Sequence, residues 1–230
     1  MTRRQNTSIS TSMRVISLLI LLVALLPARG QKLFRLEKDS IPLMRGFQVS
    51  VDVAGLAQLM LGDYGQYEAA LRLNLHDQWF PVFELGYGKA SHTDDPVTRL
   101  SYKTQAPYFR VGIDFNLLKQ KHQANRLFAG LRYAHTSYKI DVWCDDFEDP
   151  VWRWKTGYGV RDVPCYQHWA EAVIGIDSQI WGPAHLGWSV RYRQRLSHSE
   201  GELGNSWYVP GYGTQDTSTI AATFNVIIDI

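Results

Sequence analysis

The sequence predicts an all-β fold, an eight-stranded antiparallel up-and-down transmembrane β-barrel of outer-membrane type. Three observations carry this. Eight segments alternate apolar and polar residues, the connections between them are alternately short and long, and the polar faces draw their basic residues from arginine alone. Period-two alternation marks a strand with one apolar and one wet face. An even number of strands suits a closed barrel, which removes the exposed edges of an open sheet.

The first 30 residues stand apart. Arg14 leads into the apolar run 15–26, and Pro27-Ala28-Arg29-Gly30 follows. This is the pattern of a secretory signal peptide cleaved near Gly30/Gln31, with translation from Met13 and residues 1–12 as an upstream extension. The run is shorter than the roughly 20 apolar residues of a membrane-spanning helix. Residues 31–45 are expected as a periplasmic N-terminal segment and 46–230 as the barrel.

The strands follow in order. Residues 46–55 set Phe47, Val49, Val51 and Val53 against Gln48, Ser50 and Asp52, and 67–75 repeat the pattern with Tyr67, Leu71 and Leu73 against Glu68, Arg72 and Asn74. Residues 79–89 oppose Phe83, Leu85 and Tyr87 to Glu84, Gly86 and Gly88, and 106–116 oppose Phe109, Val111, Ile113 and Phe115 to Arg110, Gly112, Asp114 and Asn116. In 127–138, Leu127, Ala129, Leu131 and Tyr133 face away from Gly130 and Arg132, and in 168–180, Ala170, Ala172, Ile174 and Ile176 face away from Glu171 and Asp177. Residues 186–196 set Trp188, Val190 and Tyr192 against Ser189, Arg191, Arg193 and Arg195. The last strand, 220–230, has Ile220, Ala222, Phe224, Val226, Ile228 and Ile230 on one face and Thr223, Asn225 and Asp229 on the other.

The connections 76–78 and 181–185 are tight and 117–126 is moderate, whereas 56–66, 90–105, 139–167 and 197–216 are long. Short turns on one rim and long loops on the other are an outer-membrane signature, with the termini periplasmic. Aromatic residues near strand ends (Tyr67, Tyr87, Tyr108, Tyr138, Trp169 and Tyr192 at one rim, Trp79, Phe80, Trp181 and Trp188 at the other) match two interfacial girdles.

Alternation alone does not separate this barrel from a soluble, lipocalin-like ligand-binding barrel with its apolar face inward. The polar set does. Asp52, Glu68, Glu84, Asp114, Glu171, Asp177 and Asp229 are joined by Arg72, Arg110, Arg132, Arg191, Arg193 and Arg195, with no lysine. A planar fork that makes bidentate contacts suits charges paired inside a closed space. At eight strands the interior is just filled, so the set reads as a plug and not a pore.

The chain carries 24 Lys+Arg against 22 Asp+Glu, a net charge of +2. Arg3, Arg4, Arg14 and Arg29 belong to the leader, which leaves 20 basic against 22 acidic residues over 200 mature positions. That balance gives nucleic acid no electrostatic footing. The expected partners are outer-membrane lipid, the barrel-assembly machinery that would read the last strand during insertion, and an extracellular partner for the long loops.

The segments 63–72, 86–90, 109–116, 181–183 and 186–192 resemble a family of small Gram-negative outer-membrane barrel proteins with no assigned activity, and the similarity runs through essentially the whole mature chain. It implies the fold and the location and transfers no catalytic residue.

No zinc spacing, phosphate loop, dinucleotide fingerprint or nucleophile elbow is present, so no cofactor and no metal are expected. The one enzymatic candidate is His198 with Ser197, Ser199 and Glu202, in the manner of a lipid A deacylase. Adjacent strand residues point to opposite faces, which sets these serines against it, and a non-enzymatic barrel is the expectation. Cys144 and Cys165 fall in the same expected loop, where export permits a disulfide. That loop also holds Trp143, Phe147, Trp152, Trp154 and Tyr158 with Asp145, Asp146, Glu148 and Asp149, a set suited to contacting a glycan, cation or protein, or to folding over the barrel mouth.

Overall fold

A computed structural model describes residues 42–95, 99–148, 153–199, 206–214 and 216–230. The expected signal peptide and most of the 31–45 segment lie outside the described residues. The wall is built from β1 (Met44–Asp52), β2 (Tyr64–Leu75), β3 (Trp79–His92), β4 (Ser101–Asn116), β5 (Arg126–Glu148), β6 (Lys155–Trp181), β7 (Ala184–His198) and β10 (Ser218–Asp229). These strands close in the order β1-β10-β7-β6-β5-β4-β3-β2, each antiparallel to its neighbours. A helix α1 (Val53–Leu61) follows β1, and a short hairpin of β8 (Tyr208–Val209) and β9 (Gly213–Thr214) precedes β10.

The faces fall as the alternation predicts. Phe47, Val49, Val51, Leu85, Val111, Leu131, Ile174, Trp188 and Val190 are exposed on the outside, while Gln48, Glu68, Glu84, Arg110, Asp114, Glu171 and Arg191 are buried within. A soluble barrel with an apolar interior is the reverse of this arrangement. The β2–β3 turn is tight because His76 and Asp77 both take positive φ (59° and 54°) and Gln78 N donates to Leu75 O, the conformation whose twist matches two paired strands.

Four expectations are corrected. The first strand stops at Asp52, because its carboxylate accepts from Ala54 N and Gly55 N and caps α1, the standard task of an N-cap oxygen. The 56–66 loop is therefore largely helix. Residues 139–167 are mostly a hairpin, with β5 and β6 paired from Arg126↔Asp177 to Glu148↔Lys155. β-Branched Ile140, Val142, Val160 and Val163 carry the ladder onward, and one extra residue is absorbed at Asp162, whose φ is +57° and whose N–H bonds Asp141 Oδ1.

The aromatic girdle is only partly on the outside. Tyr67, Tyr87 and Tyr192 face outward, but Tyr108, Tyr138 and Trp169 are buried in the lumen, as is Phe80 at the other end. Finally, Cys144 and Cys165 are free. Cys144 pairs with Tyr158 and Cys165 with Tyr138, which sets the two cysteines six residues apart along the ladder, about 20 Å at strand rise. A disulfide needs Cα atoms within about 7 Å.

Candidate functional site

The lumen is built in layers. The middle one is the charge network, centred on Glu84, which has no solvent exposure and receives three guanidinium groups. Arg132 Nε donates to its Oε1 at 2.8 Å, Arg191 Nη1 to its Oε2 at 2.7 Å, and Arg110 Nη1 to the same oxygen at 3.2 Å. Arg110 also contacts Glu68, and its Nε lies 2.9 Å from Glu171 Oε1. Arg132 reaches Asp114 at 3.0 Å, Arg72 reaches Asp177 at 2.9 Å, and Arg193 Nε sits 3.3 Å from Glu171. Room for these long side chains comes from short residues opposite. A Cβ at Gly130 would lie 1.9 Å from Asp114 Oδ1, and one at Gly112 2.7 Å from Arg132 Cγ.

Above this layer residues 206–214, between β7 and β10, fold into the barrel mouth. Tyr208, Val209 and Tyr212 are buried among the inward faces of Tyr102, Tyr138, Ile140, Val163, Cys165 and Trp169. The plug is tied to the charges by its backbone. Arg110 Nη2 donates to Gly211 O and Arg193 Nη1 to Tyr212 O, each at 2.7 Å, and Tyr102 Oη donates to Tyr208 O at 2.7 Å.

At the opposite end a polar layer closes the turns. Asp77 accepts from Arg45 and from Asn74 Nδ2 at 2.7 Å and lies 2.7 Å from His122 Nδ1. Burial alone pushes the Asp77 carboxyl up, but the hydrogen bonds from His122, Asn74 and Arg45 outweigh it and hold the group below the usual carboxylate range. Next to it Asp229 holds Gln48 and lies 3.0 Å from His185 Nε2.

Among the residues expected in the charge network, Glu68, Arg72, Glu84, Arg110, Asp114, Arg132, Glu171, Asp177, Arg191 and Arg193 come together. Asp52 does not join the arginines, because both its oxygens bond backbone N–H groups, including Phe224 N at 3.3 Å. Arg195 makes no ion pair among the described residues. Arg195 stays in register with Arg193 and lies half-buried opposite Trp169, and the β6–β7 register shifts only beyond that pair, between Trp169 and His168. Sequence reading missed Arg126, which bonds Asp177 at 2.7 Å and Gln48 at 2.6 Å. Its signal was its parity, shared with Gly130 and Arg132 further along the strand, one residue ahead of the expected strand start.

Three of the four residues of the enzymatic candidate are described. Ser199 N donates to Tyr166 O at 3.0 Å, and Ser199 Oγ accepts from Tyr166 N at 2.8 Å. That reciprocal pair ties down the end of β7. Ser197 is exposed and pairs with His168, His198 pairs with Gln167, and Glu202 lies outside the described residues.

The chain is similar to a major outer membrane protein from Thermus thermophilus, at 13% identity and a TM-score of 0.41, covering 81% of this chain and all of that one. It is also similar to Acinetobacter baumannii CarO2 (12%, 0.38, 82% and 99% covered) and CarO (13%, 0.39, 84% and 100%). None of the curated proteins matches it. Residues 10–229 match the family described as a domain of unknown function, DUF6048, and the chain belongs to that family.

Proposed function

We propose that the protein is an outer-membrane barrel, inserted by the barrel-assembly machinery, non-enzymatic and closed to conduction, whose long hairpin acts outside the cell in adhesion, partner binding or envelope support. One observation carries the reading: the barrel is turned inside out for water. Leu131, Ile174, Ile176, Trp188 and Ile220 are more than half exposed on its surface, while Arg110 and Glu84 are fully enclosed. Apolar residues of this density on a closed strand surface are at home in hydrocarbon, and strands of 9 to 27 residues cover the 9–11 that a tilted span requires.

Orientation follows from the rims. The tight turns at His76-Asp77 and Gly182-Pro183 lie with Met44 and Ile230 at one end and are assigned to the periplasm. β5 and β6 outreach their neighbours at the other end, and Trp154, just before β6, and Tyr158 on it are exposed, which supports a contact surface there. The layers of plug and arginines leave no reason to expect ion flow.

Fractionation of cells and flotation of the purified protein with vesicles test the location. Recovery in the membrane fraction with heat-modifiable gel migration is expected, and recovery in the soluble periplasm would overturn the reading. Mass spectrometry of lipid A from cells carrying His198→Ala tests the enzymatic alternative, with unchanged acylation expected.

A further inference from the structure

β1 leaves the barrel wall early. Its ladder to β10 ends at Asp52↔Asn225, while β10 continues to Ser218 paired only with β7. Above Phe224, whose N–H is taken by Asp52, the β1-facing edge of β10 has no strand partner among the described residues. The chain that could have supplied one has become α1, which leans on β2 so closely that a Cβ at Gly65 would lie 2.3 Å from Leu59 N.

A cavity of about 480 Å³ fills the gap, within the usual range for small-molecule sites. It is lined by Thr219 and Ala221 from the inner face of β10 and by Ile220 and Ala222 from its outer face. A cavity touching both faces of one strand wraps around its free edge, so this one joins the lumen to the lipid-facing surface. Inside, its wall is Arg193, whose guanidinium donates from Nη1 to Tyr212 O and lies with its Nε 3.3 Å from Glu171 Oε1. Outside, it ends at Ile220, which pairs with Tyr192. Tyr192, with Tyr67 and Tyr87, marks the level where headgroups meet acyl chains.

We propose that this gap is a lateral binding site for an acidic, single-chain amphiphile taken from the outer leaflet, its headgroup on Arg193 and its chain leaving over Ile220 and Ala222. Asp52 lines the same cavity but its oxygens already accept three backbone N–H groups, so it holds the helix in place, and the cation in the lining is Arg193. The site rests on the membrane reading above.

The test uses the full mature chain refolded into dioleoylphosphatidylcholine vesicles with diazirine-bearing palmitic acid, or the matching palmityl alcohol, as probe. Adducts are expected to concentrate on residues 54–58 and 220–222. Labelling there should fall about tenfold with the alcohol and with Arg193→Gln, the scale of one charge-assisted hydrogen bond. It should also be lost in Ala222→Trp, which fills the edge without touching Arg193 and decides the matter if Arg193→Gln does not refold. Adducts spread evenly around all strands, or unchanged by probe and variants, would overturn the site on a protein that floats with the vesicles. Failure to float would overturn the membrane reading instead, and the site with it.

Discussion

Gly86 and Tyr108 are register partners on the lumen faces of β3 and β4, and a Cβ at position 86 would stand 2.2 Å from Tyr108 Cζ. The ring lies flat across the glycine so that its hydroxyl donates to Glu68 Oε2 at 2.7 Å, with the Arg110 guanidinium 4.6 Å from its centroid and Gly211 of the plug against its other side. Gly86→Ala should displace the ring and destabilise the barrel by about 1–3 kcal/mol, the usual cost of overpacking. Urea unfolding of detergent-refolded protein measures it, and an unchanged midpoint would mean that the ring has room to move.

Glu84→Gln should cost more. The substitution keeps the volume but removes the charge that Arg110, Arg132 and Arg191 share, and breaking a buried ionic cluster from one side costs about 3–5 kcal/mol. The expected readout is a lower temperature for the heat-modified gel shift. Equal stability to wild type would show that the remaining carboxylates suffice.

Val111→Arg tests the outward face. Val111 is 48% exposed at mid-strand on β4, and arginine there should hinder insertion by about 2–4 kcal/mol if the residue meets the bilayer midplane. Normal assembly in cells would count against lipid on that face.

The turn cluster sets a pH dependence. Asp77 is held below its ordinary value by its hydrogen bonds, so its contribution to stability is fully present above the unfolded carboxylate value near 3.9 and is lost as pH falls through the lower folded value. Asp77→Asn should weaken the barrel at neutral pH and flatten its stability profile in acid. Unfolding midpoints at pH 3, 5 and 7 would show this, and parallel profiles would argue against it.

Cys144 and Cys165 should both react with maleimide after unfolding without a reducing agent, and slowly before it, because both are buried. A mass lower by two hydrogens in non-reduced protein would contradict the hairpin register.

The faces and most wall strands were legible because parity is a local property. At Arg110, Glu84 or Val111 the neighbours two residues away already say which side is wet. What was hidden depends on the third dimension. Asp52 reads equally well as the next polar position of a strand or as a helix cap, and the choice rests on α1 packing against Gly65. Tyr108 and Trp169 have the composition of a girdle, yet they lie in the lumen because the plug supplies an apolar layer for them there. The plug's own residues, Tyr208, Val209 and Tyr212, sit in a stretch without alternation, and only the inward-pointing carbonyls of Gly211 and Tyr212 reveal their role. Cys144 and Cys165 were close in an assumed loop and distant in a ladder.

The β5–β6 hairpin also bears on the order of assembly. Its strands are adjacent in sequence, and zipping it requires closing only the short stretch around residues 149–154, whereas the seam between β1 and β10 joins residues such as Gln48 and Asp229, 181 positions apart, through five pairs. Loop-closure entropy favours the near pairing first. The longest ladder is then the natural nucleus from which the wall grows in both directions, and the seam is the last to form.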